Sequence, residues 1–254
     1  VGRAARAALG VRVRALQTAS VGAALLLWEG AARAQLVDPL FVPAPTAVAA
    51  ALGQVLGETL PALGRTVATA LLAYALSVCL GVGLGLVIGA RRFLGDVLNP
   101  YLLAAYGLPK ILVLPWIVLI LGTGATPAVA YGTLHGLFPV LILVIGGVRD
   151  VDRSLITTAR AFGARPWQLY SRVILPAIVP AVLAAMRLGI VFALLGVLVV
   201  EMFAGVRGMG SELSAFANAF QAPALFASTF LVSAVAIAIG LVLDALGERL
   251  ARWR

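Results

Sequence analysis

The chain is 254 residues long, 62% hydrophobic and only 11% charged, with a mean hydropathy of +1.07. A soluble globular domain is about 45–50% apolar and about 25% charged, so a soluble enzyme, a disulfide scaffold and a disordered chain are all excluded. One Cys and one His allow neither an internal disulfide nor a multi-His metal site, and the net charge of +9 is scattered between apolar stretches, which reads as membrane topology and not as a nucleic-acid surface.

At roughly 20 apolar residues per crossing, the chain has material for about six or seven membrane helices. Windows free of charge locate them. Extended to their apolar flanks, they predict six spans at about 15–34, 66–90, 99–121, 127–148, 177–204 and 223–247. The first has a second reading: Arg3, Arg6, Arg12 and Arg14 before an apolar run ending in Ala32-Arg33-Ala34 resemble a signal peptide. Retaining the helix gives an even span count and a division into 1–35 (cytoplasmic tail and first span), 36–65 (an outer segment) and 66–250 (a five-helix core). In the outer segment Pro43-Ala44-Pro45-Thr46 opens a short amphipathic helix, with Thr46 as N-cap and Val48, Leu52, Val55 and Leu56 on one face, lying along the membrane surface. The long charge-free stretch 111–148 is broken by Gly122-Thr123-Gly124-Ala125-Thr126-Pro127, which predicts a tight helical hairpin.

Orientation follows from the basic residues. With the N-terminus inside, fourteen Arg, including Arg249, Arg252 and Arg254, fall in inner segments, and three (Arg33, Arg65, Arg207) fall outside. Both termini are therefore expected on the cytoplasmic side of a multi-pass protein.

The inner loop 149–176 predicts two short amphipathic helices. Ser154 caps the first, which carries Leu155, Ala159 and Phe162 on one face. Gly163-Ala164 breaks it, and Pro166 begins a second helix with Trp167, Tyr170 and Ile174 aligned. Leu175-Pro176 is expected to end that helix and start the fifth span. An apolar face beside exposed Arg fits either a partner protein or lipid headgroups.

Ala159-Arg160-Ala161-Phe162-Gly163-Ala164 followed by Val173-Ile174-Leu175-Pro176 resembles the Glu-Ala-Ala loop of ABC importer permeases. Thr157-Thr158-Ala159 stands where Glu-Ala-Ala is usual, so only Ala159 keeps the triplet. Pro43-Ala44-Pro45-Thr46-Ala47-Val48, Leu108-Pro109-Lys110-Ile111 with Leu114-Pro115-Trp116, Gly122-Thr123-Gly124, Arg187, Glu201-Met202 and Gly208-Met209-Gly210 resemble the subgroup that imports nitrate, taurine, aliphatic sulfonates and thiamine precursors. The similarity runs over about residues 36–254. It implies an all-α integral membrane protein, a six-transmembrane-helix bundle of the type I ABC importer permease kind, in the cytoplasmic (inner) membrane. It further implies a pathway between two permease copies, a homodimer or a homologous pair, with a binding protein delivering substrate at the outer face. The loop would act as a coupling helix docked on a cytoplasmic ABC ATPase dimer, through Thr157, Ala159, Arg160, Gly163, Ala164 and Trp167, ending at Leu175 and Pro176. ATP belongs to that partner and no cofactor to this chain. A phosphate-cradling loop needs a Lys after Gly, and the one Lys here follows Pro109.

Within the spans, Lys110 either faces a cavity, where it attracts an anionic substrate or pairs with a carboxylate, or faces an interface or headgroups. Arg187 is expected to pair with a cytoplasmic-side carboxylate in a structural or gating role. Glu201 reads as a local charge pair with Arg207, or as a gating or binding-protein contact. His135 reads as hydrogen-bonded within the bundle, with a substrate role the alternative. Gly81, Gly85 and Gly89, repeating every four residues, predict close helix packing. The rival class, an ion-coupled secondary transporter or channel, calls for intramembrane acidic residues and an inverted repeat. Glu201 and Asp244 sit at span ends, and no such repeat is visible.

Overall fold

The computed structural model describes residues 2–250; Val1 and residues 251–254, with Arg252 and Arg254 of the inner-side count, lie outside the described residues. Every regular element among those described is helical. In chain order they are α1 (Gly2–Arg33), α2 (Pro45–Ala90), α3 (Arg92–Gly107), a 3-10 turn (Lys110–Val113), α4 (Leu114–Leu121), α5 (Ala125–Arg149), α6 (Arg153–Ala161), α7 (Pro166–Leu169), a π turn (Tyr170–Ile174), α8 (Leu175–Phe203), α9 (Met209–Asn218) and α10 (Ala222–Leu250). Two compact units emerge: Val1–Thr59 with Leu213–Leu231, and Leu60–Glu212 with Val232–Arg254.

Among the described residues, four helical stretches are long and apolar enough to cross a membrane: Pro45–Ala90, Ala125–Arg149, Pro166–Phe203 and Ala222–Ala245. A fifth is the pair α3 and Lys110–Leu121, bent by 87°. The expected single span at 99–121 is thus two helices. Pro109 has no N–H to continue α3, and the residue before a proline is driven out of the helical region. Leu108 accordingly is extended, at φ −64° and ψ 138°. The expected first span is not among these stretches. α1 forms over 32 residues, but Gln17, Thr18, Ser20 and Glu29 dilute its apolar run, and it falls short of the apolarity of the other spans.

Two further expectations change in the first unit and at α2. The helix opened at Pro45 does not stop as a short surface element; it runs unbroken through Pro61 to Ala90. Thr46 is not its cap. Its N–H and its hydroxyl both donate to the Glu29 carboxylate, at 3.1 and 2.9 Å, so α1 supplies the acceptor for the start of α2. The Val48, Leu52, Val55, Leu56 face splits: Val48 and Val55 are buried, Leu52 and Leu56 exposed. Aromatic contacts complete this unit, with Trp28 against Phe226 and Phe230, and Phe41 edge-on to Phe220.

In the second unit the period-four glycines meet period-four valines. A Cβ on Gly81, Gly85 or Gly89 would lie 2.7–2.8 Å from Val140, Val144 and Val148 respectively, so α2 and α5 approach as closely as only glycine permits. From Val140, Val144 and Val148 the same buried cluster continues through Val151 to Leu169, Ile174, Ile178 and Ala185. It therefore reaches without a break from mid-span into the loop.

Candidate functional site

The loop between α5 and α8 is a folded two-helix unit. Asp152, not Ser154, caps α6: its side chain accepts from the Ser154 N–H at 2.8 Å. That bond holds the Asp152 carboxyl below the ordinary carboxylate range. Thr157 lies a turn further in, is exposed, and caps nothing. At the other end Gly163 takes φ +77°, with Ala164 N–H donating to Ala159 O at 3.0 Å and Gly163 N–H to Arg160 O at 2.9 Å. These paired bonds are a Schellman stop, which explains why Gly-Ala follows Ala159-Arg160-Ala161-Phe162. Arg165 N–H then donates to Gln168 Oε1 at 2.8 Å, and Pro166 opens α7.

Leu175-Pro176 does not end this second helix. Residues Pro166–Phe203 form one helical stretch, with the π turn Tyr170–Ile174 inside it. Pro176 lacks the N–H for the Arg172 carbonyl and its ring would crowd that group; widening the preceding turn, with Leu175 N–H reaching Tyr170 O, accommodates both. The loop is therefore welded to α8.

Both expected apolar faces split between inside and outside. Ile156 and Ala159 pack on the buried cluster, as do Leu169, Val173 and Ile174. Leu155 at 50%, Phe162 at 88% and Trp167 at 69% stand exposed; Arg160 is exposed as well, and Ala164 is half-buried. Leu175 is exposed and Pro176 half-buried. Phe162 is the strongest apolar projection of the loop, a distinction that periodicity cannot make among three aligned residues.

The intramembrane residues fall in separate places. Lys110 sits at the 87° bend, where Pro109 frees backbone carbonyls. Its Nζ donates to Tyr106 O at 2.9 Å and lies 4.7 and 5.5 Å from the Tyr106 and Phe138 ring centres. This is a cation stabilised by rings and a carbonyl, with ammonium donors to spare. On the same face of α5, one turn from Phe138, His135 stacks near Tyr131 at 4.6 Å. Its Nδ1 is buried, and the hydrogen-bonding contact of the imidazole is the Tyr131 backbone one turn earlier on α5. Arg187 forms an ion pair with Asp244, joining α8 to α10 within the second unit.

Glu201 does not pair with Arg207. It is 2% exposed and accepts from Thr66 Oγ1 at 2.8 Å and from Gly210 N–H at 2.9 Å, while Met209 N–H donates to the Thr66 hydroxyl at 2.7 Å. A Cβ at Gly208 would fall on the Glu201 carboxylate, 2.0 Å from Oε1. Glu201 and Gly208-Met209-Gly210 are thus one knot, closed by a threonine 135 residues away in sequence that no local pattern marks. Among the described residues no group of His, Cys, Asp and Glu is arranged to hold a metal ion.

Residues 77–254 match the family described as "Binding-protein-dependent transport system inner membrane component". The chain is 26% identical over 245 residues to the taurine transport system permease protein TauC of Escherichia coli, covering 94% of this chain and 89% of that one. It is 27% identical over 232 residues to the formylaminopyrimidine transport permease protein ThiX of Halalkalibacterium halodurans, covering 91% and 92%. The inward-facing MetNI methionine ABC transporter superposes with a TM-score of 0.65 over 78% of this chain and 95% of that chain, at 18% identity. At that identity the likeness is one of fold.

Proposed function

Since the chain belongs to the binding-protein-dependent transport system inner membrane component family, we propose that it couples ATP hydrolysis on a separate ATPase to inward movement of a small solute, with the loop Arg153–Ile174 as the coupling element. The chain is a permease subunit of an ABC importer. Two copies line the pathway, an extracytoplasmic binding protein supplies the solute, and both termini lie on the cytoplasmic side of the inner membrane. α1 completes a sixth span, with Leu16, Val21, Leu26 and Leu27 exposed along it for contact with lipid.

The observation that carries this reading is the two-sided loop. Its inner side belongs to the core that begins at Val140, and its outer side presents Leu155, Phe162 and Trp167 to whatever meets it. A force applied at Phe162 is transmitted through a packed unit and a continuous helix into α8, not absorbed by slack chain. Such an exposed apolar face suits the groove of a partner protein. The Arg187–Asp244 pair near the middle of α8 and the Glu201 knot near its end hold it so that it moves as a body.

The solute is a small anion such as a sulfonate or nitrate, or a heterocyclic vitamin precursor. The two named relatives differ in solute at nearly equal identity, so the family alone does not choose. Lys110, with free donors above an aromatic floor, favours the anion.

Phe162→Glu and Trp167→Glu test the coupling claim. Both side chains are exposed, so the permease keeps its fold, while a desolvated charge opposes docking. Loss of ATPase co-purification and at least tenfold slower ATP-driven uptake are expected. Normal assembly and uptake in the double variant would refute it.

A further inference from the structure

A cavity of about 580 Å³ opens between the Ala90 end of α2, the start of α3, the Arg149 end of α5 and the side of α6. Its lining combines the apolar residues Val148, Leu169 and Ile174 with four arginines, Arg92, Arg149, Arg153 and Arg160. One carboxylate, Asp96, faces these four among the described lining residues, and it is engaged: Arg149 Nη2 donates to Asp96 Oδ1 at 2.9 Å. Arg149 is fixed from below as well, since it lies where a Cβ on Gly95 would stand. The Thr157 and Tyr170 side chains also line the cavity. Four like charges in one cavity repel one another, and an anion at their centre turns that repulsion into attraction. Planar, forked guanidiniums suit a phosphate above other anions, and apolar residues in the same lining suit a phosphate that carries glycerol and acyl carbons.

The geometry points to a phosphate-binding site in this cavity, with Arg92, Arg149, Arg153 and Arg160 as donors, occupied by the headgroup of an anionic phospholipid or by free phosphate. Basic pockets at the cytoplasmic ends of membrane helices take anionic headgroups in this way, and occupancy would brace α6 against α3 and α5. The phosphate chemistry stands on the four arginines alone. Only the lipid source rests on the proposed topology.

The test uses the full chain purified in neutral detergent. Native mass spectrometry after exposure to equimolar phosphatidylglycerol and phosphatidylethanolamine reads lipid preference. Thermal unfolding in sodium phosphate against sodium chloride at equal ionic strength reads free phosphate. Arg92→Gln/Arg153→Gln removes two exposed donors, Arg92→Lys/Arg153→Lys keeps their charge, and Arg12→Gln/Arg14→Gln is the control on a different basic segment. At about fivefold in affinity for each Arg near an anionic headgroup, the Gln pair is expected to bind roughly 30-fold more weakly, with the Lys pair between the two because it keeps the charge without the fork, and the control close to wild type. Preferential phosphatidylglycerol retention identifies a lipid, and a phosphate-specific rise in unfolding temperature identifies the free anion; either supports the site. Equal binding by wild type and the Gln pair, or no discrimination by either probe, overturns it. The ATPase-docking result with Phe162→Glu is independent of both.

Discussion

Glu201 shows how a buried carboxylate is tolerated near the end of a membrane helix. Its oxygens are satisfied by a hydroxyl and a backbone N–H, and the hydroxyl in turn satisfies Met209 N–H, so no polar atom of the knot is left bare. Thr66→Val removes a donor and an acceptor at once, at a cost of about 1–3 kcal/mol. It is expected to lower the unfolding temperature in detergent, whereas Thr66→Ser keeps it; an unchanged value for Thr66→Val would refute the knot. The sequence displayed both halves, Glu201-Met202 and Gly208-Met209-Gly210, as separate features. It could not display their union, because the link is a long-range hydrogen bond from a residue type found on every helix. Arg207, the obvious neighbour by charge and spacing, is not the partner, since proximity in sequence sets no direction for a side chain.

At the scale of elements, the readable features were periodic ones. Glycines at every fourth position announced a close helix contact, and α2 against α5 is that contact. Gly85→Leu must push Val144 aside in a packed interior, costing about 1–3 kcal/mol, and is expected to reduce folded yield and unfolding temperature. Gly83, which meets nothing within 4 Å, tolerates the same change; equal behaviour of the two variants would contradict the packing. Prolines proved harder to read, because one residue has several outcomes: Pro61 lies inside a continuous helix, Pro109 precedes an 87° bend, and Pro176 is absorbed by a π turn. Loop caps lie between these cases. The Gly163 stop is legible in the sequence, but the N-cap is Asp152, two residues before the Ser154 that the pattern suggests. The lowered Asp152 pKa makes a directional prediction. A depressed folded-state value means that the cap stabilises α6 fully above the unfolded carboxyl pKa and is lost as pH falls through the folded one. Amide exchange across 153–161 should therefore quicken in acid relative to the rest of the chain, and Asp152→Asn should flatten that dependence. Identical acid profiles for the two proteins would count against the cap.

For the whole molecule, composition and charge placement were sufficient for an all-helical membrane protein, and motif order sufficed for the family. The count of spans was less secure, since the first helix mixes Arg, Gln and Glu with its leucines and the third is broken at Pro109. What unites these parts is mechanical. In the proposed mechanism, a loop that shares its core with the spans and continues into α8 carries motion inward from a surface at Phe162. The most direct measurement is site-specific cross-linking in the assembled transporter, with Cys79→Ala removing the chain's one native thiol and a single cysteine then placed at Phe162, Trp167 or, as control, the exposed outer-segment Leu36. Adducts between the ATPase subunit and positions 162 and 167, absent at 36 and changed in yield by ATP, are predicted. An ATPase that stays bound and active yet never cross-links at 162 or 167 would contradict the account.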